Sequence, residues 1–413
     1  ESALVERIAA LERLKSAAAA GQARAAAALD ERRRASEAAA GMPAAKRGPG
    51  LASEVALARR DSPSCGGRHL GFARALVYEM PHTLAALECG ALSEWRATLI
   101  VQESACLDVE DRRTLDAELC SDIAGLDGLG DTRIRATAKS IAYRLDPHAV
   151  VDRAVRAENE RTVTIRPAPD TMTYVTALLP MTQGVSVSAA LRREADTCFD
   201  GRGRGQVMAD TLVERVTGRP AEVPVPVTVD LVLTDESLLA GSTSPARVAG
   251  YGPVPAAIAR RLVAAAVKDR RSRATLRRLY KHPRSGALVA MESRARLFPK
   301  GLARFIDVRD DTCRTPYCDA PIRHHDHATA HGRGGQTNGV NGLGACEACN
   351  YAKEAPGWKV TTTQDETGGH HAEFITPTGA RHHSKAPPLP GPVRFQRSAM
   401  EVDIGIAIAK HAA

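Results

Sequence analysis

The chain has 413 residues, of which 44% are apolar and only 4% aromatic, and its net charge is +8. This length allows two or three domains, and the shortage of aromatic residues means that their cores are built from Ala, Val and Leu. No run of about 18 apolar residues occurs, so the sequence argues against a membrane span. The charged N-terminus ESALVERIAALERLK also lacks the apolar region of a secretory signal.

The cysteine pattern favours a reducing compartment. Nine cysteines are present, an odd number, and four of them have the spacing of metal ligands. The other five are scattered and resemble small core residues: Cys65, Cys89, Cys106, Cys120 and Cys198. This distribution suits the cytoplasm better than an extracellular disulfide framework, so we expect a cytoplasmic protein.

The first 50 residues are predicted to form one long helix and a linker. Apolar residues recur at three- and four-residue spacing: Leu4, Ile8, Leu11 and Leu14. Gly and Pro in GMPAAKRGPG, residues 41–50, indicate the linker. The thin apolar stripe allows a homodimer through this helix; the alternative is a partly frayed N-terminal arm.

Residues 51–159 are predicted to be all-helical. Pro81 interrupts an apolar helical face, and Ser93 and Asp108 are suited to cap the helices that follow them. Asp146 and Pro147 have the preferred order for an N-cap and first helical residue.

From Arg161 onward the pattern is mixed α/β. Strands are predicted for RTVTI, for MTYVTALL and for VPVTVDLVL, which ends at Leu233. Helices are predicted near residues 186–198, 206–216 and 255–266, with GRGRGQ as a loop between the first two. TLRRLY and GALVAM read as a β-hairpin, and FPKGLARFIDVRDD as a helix leading into the cysteine region. KVTTTQ and HAEFIT read as a second hairpin, followed by an extended Pro-rich tail.

A strongly basic segment lies upstream of the cysteines. Residues 251–285 contain ten Arg or Lys residues and a single acidic one, Asp269, which gives the segment a charge of +9. Such a stripe is typical of a nucleic-acid-binding surface, with Arg270 and Arg277 as candidate contacts. A solvated helix face balanced by acidic neighbours is the alternative.

Two close cysteine pairs predict a structural zinc site. Cys313 and Cys318 form one pair, and Cys346 and Cys349 form the other. Four thiolates around one ion make the closed, tetrahedral type of zinc site, which can hold together a segment too short to bury a core of its own. The alternative is four unrelated core cysteines.

Between the pairs lie residues suited to chemistry. His325-Asp326-His327 places a carboxylate between two imidazoles, and the Gly-rich loop from Gly332 to Gly339 lets backbone approach a phosphate. Asp326 and His327 would point to opposite faces of an extended strand, so we expect a bend or bulge there. Asn350 is predicted to open a helix whose exposed face includes Lys353 and Glu354.

This stretch resembles the HNH endonucleases, in which two strands and a helix surround one divalent ion. Asp326-His327 is similar to the first motif pair of that family, Asn341 lies where its central Asn lies, and Asn350 falls at its last metal-ligand position. The four cysteines resemble those of the zinc-bearing members. Ala330 stands where many members have Pro, a difference that affects backbone shape more than chemistry.

The resemblance implies a role for each matched residue. His327 would be the general base, while Asp326 and Asn350 would hold Mg²⁺ or Mn²⁺ through oxygen atoms. Asn341 would brace the loop and orient His327. Arg333 and Lys353 would be candidates for phosphate contact.

The likeness extends upstream. ALSEWRA, YRLDPHAVVDRA, RGQVMADTLVERVTG, AGYGPVPAAIARRL and CNYAKEAPGW resemble a large actinobacterial family in which a domain of unknown function precedes a C-terminal HNH module. We therefore predict an α+β multidomain protein with a ββα-metal module of the HNH, or His-Me finger, type. The predicted units are residues 1–50, 51–298, 299–363 and 364–413, the third being the nuclease module and the last a hairpin and tail.

The sequence thus predicts a metal-dependent endonuclease that cleaves DNA, with catalytic Mg²⁺ or Mn²⁺ and structural Zn²⁺. Two alternatives stay open: a DNA-binding protein with a catalytically silent zinc module, and an RNA-directed nuclease.

Overall fold

The computed structural model describes residues 1–223, 231–268, 292–293, 297–366 and 368–390. It is an α+β protein: helices form the N-terminal part, and small sheets and helices form the remainder. No helix among the described residues is both long and apolar enough to span a membrane.

Helices form the N-terminal part, as predicted. They are α1 (Ser2–Ala39), α2 (Leu51–Ala58), α3 (Gly66–Tyr78), α4 (Pro81–Glu88), α5 (Glu94–Ser104), α6 (Val109–Cys120), α7 (Asp131–Leu145) and α8 (Pro147–Ala157). The predicted caps are confirmed, because the side chains of Ser93, Asp108 and Asp146 each accept a backbone N–H from the first turn of their helix.

Alanines supply the contribution of α1 to the core of this part, and Leu, Ile, Phe and Met side chains of the other helices complete it. The α1 residues Ala19, Ala20, Ala23 and Ala27 are buried against α3 and α4, where their size allows close approach of the helices. The first turns of α1 contribute nothing to this core. Their apolar residues are all exposed: Leu4, Ile8, Leu11 and Leu14. The homodimer through this stripe stays a prediction. Of the five scattered cysteines only Cys120 is buried, so the expectation of core cysteines is wrong for the exposed Cys89.

The middle of the chain combines short strands with helices. Its elements are β1 (Thr162–Pro167), β2 (Thr173–Leu178), α9 (Met181–Thr197), α10 (Arg204–Thr217), β3 (Leu231–Val232), α11 (Asp235–Leu239), β4 (Ala246–Val248), β5 (Gly252–Val254) and α12 (Ala256–Lys268). β1 and β2 form an antiparallel hairpin, and β3, β4 and β5 form a second antiparallel sheet. The predicted hairpin of TLRRLY and GALVAM lies outside the described residues, as does most of VPVTVDLVL.

The C-terminal part contains the cysteine region. Its elements are β6 (Glu292–Ser293), α13 (Lys300–Asp310), β7 (His324–His327), β8 (Thr337–Asn338), β9 (Gly342–Ala345), α14 (Glu347–Lys353), β10 (Lys359–Gln364), β11 (His370–Ile375) and β12 (Arg381–Lys385). β7 pairs with β9, β6 with β8, and β10, β11 and β12 form an antiparallel sheet. The predicted hairpin of KVTTTQ and HAEFIT is confirmed, and the tail adds a third strand to it.

The helical part contacts the C-terminal part through α2 and the residues around it. The Glu54 carboxylate is buried, accepts hydrogen bonds from the backbone N–H and hydroxyl of Thr378, and pairs with Arg33 at 2.9 Å. Gly50 lies so close to the indole of Trp358 that a Cβ would fall 2.6 Å from its Nε1. The two parts are therefore fitted together beside α14.

Candidate functional site

Four buried cysteines come together at the N-terminus of α14. The Sγ atoms of Cys313, Cys318, Cys346 and Cys349 all lie within 4.8 Å of one another, and the Cys318 and Cys346 sulfurs are 3.8 Å apart. Zn–S bonds of about 2.3 Å in a tetrahedron separate the sulfurs by about 3.8 Å. The cluster therefore has the size and chemistry to bind one zinc ion.

The electrostatics of the cluster favour a cation. A hydrogen bond from Cys318 lowers the pKa of Cys313, whereas the bond to Cys313 raises the pKa of Cys318 and of Cys349. The first thiolate is stabilised by neighbouring S–H groups, and its charge then opposes further ionisation. A divalent ion at the centre would remove this opposition.

Asp326 and His327 end a regular strand. β7 pairs with β9 in antiparallel register from His324 opposite Ala345 to His327 opposite Gly342, so the expected bend or bulge is absent from this hairpin. Instead, the Asp326 carboxylate folds back along its own backbone. Its Oδ1 accepts the His327 N–H at 2.8 Å and lies 3.6 Å from the His327 Nδ1. The two side chains therefore meet at the strand end although they leave it in opposite directions.

The imidazole of His327 is held from several sides. Its Nε2 lies 2.8 Å from the Thr337 hydroxyl oxygen, its ring packs 4.7 Å from that of Phe298, and His331 approaches it edge-on. Only 7% of the side chain is exposed. Burial lowers its pKa, although the Asp326 charge opposes this effect. The ring is therefore favoured in its neutral form near neutral pH.

Asn341 ties together the loop between β7 and β9. Its side-chain nitrogen donates to the carbonyls of Thr329 and Gln336, and its side-chain oxygen accepts the Thr329 N–H. Gly335 is required where the loop closes, because a Cβ there would fall 1.7 Å from the Thr329 carbonyl oxygen. Thr337, which contacts His327, follows Gln336 directly. By holding the Gln336 carbonyl, Asn341 therefore also holds the backbone next to Thr337.

α14 carries Asn350 and Lys353 and lies beside β7, and two expectations about this helix are wrong. The helix begins at Glu347, with the Cys346 sulfur accepting the Cys349 N–H as a cap, so Asn350 lies inside it. Lys353 is not on an exposed face, because its side chain is 4% exposed and its Nζ lies 2.8 Å from the Asp326 Oδ2. The ammonium is therefore paired with a carboxylate and largely shielded from solvent.

Asp326 and Asn350 each carry an oxygen atom of the kind that a hard divalent ion accepts. The Asn350 Oδ1 is buried and accepts no hydrogen bond within the part of the chain that the structure describes. Burial alone would raise the pKa of Asp326, but the hydrogen bond and charge of Lys353 lower it, so the carboxylate is ionised. A carboxylate and an amide oxygen are ligands that Mg²⁺ and Mn²⁺ accept. Water and substrate oxygens would complete such a shell.

Arg309 is a supporting residue that the sequence analysis missed. The buried guanidinium donates to the carbonyls of Gly339 and Gly342, on either side of Asn341, and pairs with Asp310 at 2.7 Å. Asp310 in turn accepts the Gly344 N–H at 2.8 Å. No sequence pattern separates Arg309 from the other arginines of this basic chain. Thr337 was also not predicted as a site residue. Its position in the Gly-rich loop, between His327 and Asn341, could have indicated that it lies near the imidazole.

The predicted nucleic-acid contacts lie in different settings. Arg333 is exposed in a short 3₁₀ turn of the loop after β7, and its contact with phosphate stays a prediction. Arg270 and Arg277 lie outside the described residues, together with most of the basic segment. Among the described residues, the only group of three or more His, Cys, Asp or Glu side chains placed to share an ion is the cysteine cluster.

Comparison with known proteins identifies the upstream part of the chain. The model of the family described as "Domain of unknown function (DUF222)" matches residues 8–310. The match ends three residues before Cys313, so the cysteines and the loop with Asn341 lie beyond it. No curated protein and no solved structure matches the chain.

Proposed function

This chain belongs to the DUF222 family, and we propose that it is a metal-dependent endonuclease that hydrolyses DNA phosphodiester bonds at the unit of β7, β9 and α14. The observation that carries the proposal is the meeting of Asp326 and His327 at one strand end, beside a helix with the unpartnered Asn350 oxygen. The family is known as the N-terminal part of HNH-containing proteins, which supports a nuclease module directly after the matched residues.

Asp326 and Asn350 would hold the ion through their oxygen atoms. When bound there, Mg²⁺ or Mn²⁺ would supply the positive charge that stabilises the scissile phosphate and the leaving 3′ oxygen. The four cysteines would hold zinc in a separate, structural role, because their tetrahedral shell leaves no open position for substrate.

His327 would act as the general base. If the Thr337 hydroxyl accepts the Nε2–H, the lone pair lies on Nδ1, which is the nitrogen that faces Asp326. Nδ1 would take a proton from a water molecule. The hydroxide oxygen would then attack phosphorus as the bond between phosphorus and the 3′ oxygen breaks. Asn341 and Thr337 would hold the imidazole in place for this step.

Plasmid cleavage tests the proposal. We expect the zinc-loaded protein to nick or cut plasmid DNA with Mg²⁺ or Mn²⁺, and H327A to lose at least about a hundredfold in rate, since a general base contributes on that scale. The matched control is H383A, which removes an imidazole from an exposed position on β12. Plasmid that stays intact with wild-type protein over a range of ions and sequences would contradict the proposal.

A DNA-binding protein with a silent module is the second candidate. Two observations favour it: the deep burial of His327 and the pairing of Asp326 with Lys353. This protein would retard DNA on a gel in a salt-sensitive way without cleaving it. Cleavage of RNA but not of duplex DNA would identify the remaining alternative, an RNA-directed nuclease.

A further inference from the structure

Lys353 is a buried cation in direct contact with the carboxylate that would hold the ion. Its Nζ lies 2.8 Å from the Asp326 Oδ2 and also donates to the Glu354 carboxylate, while only 4% of the side chain is exposed. Lysine is rarely buried to this extent without a specific partner. The ammonium therefore depends on Asp326 and Glu354 for its stabilisation.

Both carboxylate oxygens of Asp326 already have a hydrogen-bond donor. The Asp326 Oδ1 accepts the His327 N–H, and the Oδ2 accepts Lys353, so each oxygen already has a donor. Asn350 lies one helical turn before Lys353, and residues at this spacing share a side of a helix. Lys353 thus contacts the carboxylate that would bind a divalent ion, and it lies on the same side of α14 as Asn350.

We propose that Lys353 and the divalent ion compete for Asp326, so that a phosphodiester, by giving the ammonium a new partner, strengthens ion binding. The inference rests on the proposed function, since it concerns the same site. Two cations that share one partly exposed carboxylate repel each other, because at contact distance the surrounding water screens their charges only in part. A phosphate oxygen would offset this repulsion, and Glu354, which already pairs with the ammonium, would hold it when the contact with Asp326 is broken.

Competition of this kind gives Lys353 a regulatory role. The site would bind the ion weakly until nucleic acid arrives, and each ligand would then raise the affinity of the other by the same factor. The chain would thereby limit unproductive ion binding in the absence of substrate. Lys353 would act as a switch within the site, in contrast to the fixed surface contact expected from the sequence.

Mn²⁺ binding to the full-length, zinc-loaded protein tests this inference. Free Mn²⁺ is measured by electron paramagnetic resonance, with and without a phosphorothioate duplex that resists cleavage. We expect K353M and K353Q to bind Mn²⁺ at least about tenfold more tightly than wild type without DNA, because the competing charge is gone. DNA should raise the affinity of wild type by a similar factor and that of the two variants much less.

Two control variants, K353R and K359M, accompany the two test variants. K353R keeps the charge, and K359M removes an exposed lysine at the start of β10, so both should bind Mn²⁺ within about threefold of wild type. K353Q retains a hydrogen-bond donor for Asp326, which keeps the test valid if K353M folds poorly. Zinc content and thermal unfolding report whether each variant is folded.

The outcomes separate this inference from the nuclease proposal. Unchanged Mn²⁺ affinity in K353M and K353Q, with D326N weaker than wild type, would overturn the competition and leave the ion site standing. Mn²⁺ binding that D326N does not weaken would overturn the ion site and the competition with it. Tighter binding in both Lys353 variants together with loss of binding in D326N is the result that supports the inference.

Discussion

The two ring nitrogens of His327 face different neighbours, and this difference decides what the residue can do. Nε2 lies 2.8 Å from the Thr337 hydroxyl, while Nδ1 faces Asp326 at 3.6 Å. A neutral imidazole carries one proton, so a partner that accepts it at Nε2 leaves Nδ1 basic. The hydroxyl of Thr337 is therefore a positioning group for the proposed base.

Replacing Thr337 with Val removes this hydroxyl and keeps the shape of the side chain. We expect T337V to lower the turnover of plasmid cleavage by about 10- to 100-fold, with little change in DNA affinity, because supporting hydrogen bonds contribute on that scale. T337S is the matched control, since it restores a hydroxyl, and it should recover most of the activity. Equal turnover in wild type and T337V would show that Thr337 does not position His327.

His370 makes the stability of the C-terminal part depend on pH. The residue is 3% exposed, its Nε2–H donates to the Val340 carbonyl, and burial lowers its pKa to about 4. The charges of Arg309 and Arg314 lower the pKa further, and Asp310 opposes them. The unfolded chain, with a histidine pKa of about 6.5, therefore binds more protons than the folded chain between these values.

Acid therefore destabilises the folded chain through His370. The contribution of His370 to stability is complete above about pH 6.5 and is lost as the pH falls towards 4, by about 3 kcal/mol in total. H370Q keeps a donor for Val340 and cannot titrate. Urea unfolding at pH 7, 6, 5 and 4.5 should show the wild-type free energy of unfolding falling relative to that of H370Q. Parallel curves for the two proteins would contradict this account.

At the level of elements, the four cysteines connect pieces that have little other core. Cys313 and Cys318 follow α13, Cys346 caps α14, and the cluster they form with Cys349 is separate from the apolar cluster around Leu343. α14 has only seven residues, too few to be a stable helix by itself. Zinc binding would therefore contribute to folding of this part.

Removing one thiol tests this role. We expect about one zinc per chain in wild type and almost none in C349S after dialysis, because an incomplete shell binds zinc much more weakly. Hydrogen exchange should speed up in β9 and α14 and stay unchanged in α3 to α7, which have their own core. C89S is the control, since Cys89 is exposed and outside the cluster. Full zinc content in C349S would exclude the cluster as the zinc site.

Elements defined by local chemistry could be predicted from the sequence, and those defined by distant contacts could not. Ser93, Asp108 and Asp146 start helices because their side chains bond to N–H groups within the next three residues. The sequence places the start of α14 too late, because the cap is the Cys346 sulfur and the spacing of this cysteine indicates only a zinc ligand. The burial of Lys353 was missed because Asp326 lies 27 positions away and only the fold brings them together.

At the scale of the whole molecule, the DUF222 region and the cysteine region share a buried polar contact. Glu54 belongs to α2 and lies within the matched residues, whereas Thr378 follows β11 beyond them. The Glu54 carboxylate satisfies the N–H and hydroxyl of Thr378 and the guanidinium of Arg33 in one place. Nearby, 3₁₀-turn residues 63–65 pack on α14, the helix that carries Asn350. The upstream domain is thus positioned to affect the geometry of the site.

Substituting Glu54 with Ala tests whether this contact holds the two parts together. Its loss leaves the partly buried guanidinium of Arg33 and the hydroxyl of Thr378 without their acceptor, so we expect the free energy of unfolding to fall by about 2 kcal/mol. Hydrogen exchange should increase both in residues 50–65 and in residues 376–380.

E94A is the matched control: Glu94 pairs with Arg59 at 2.6 Å but is 38% exposed, so its loss should cost less than about 1 kcal/mol. If E54A lowers stability no more than E94A, the two parts are held together by other contacts, such as the packing of Gly50 on Trp358. If E54A also weakens plasmid cleavage while leaving zinc content unchanged, the DUF222 region supports the site through α14, because the partners of the Glu54 carboxylate among the described residues, Arg33 and Thr378, lie outside the site.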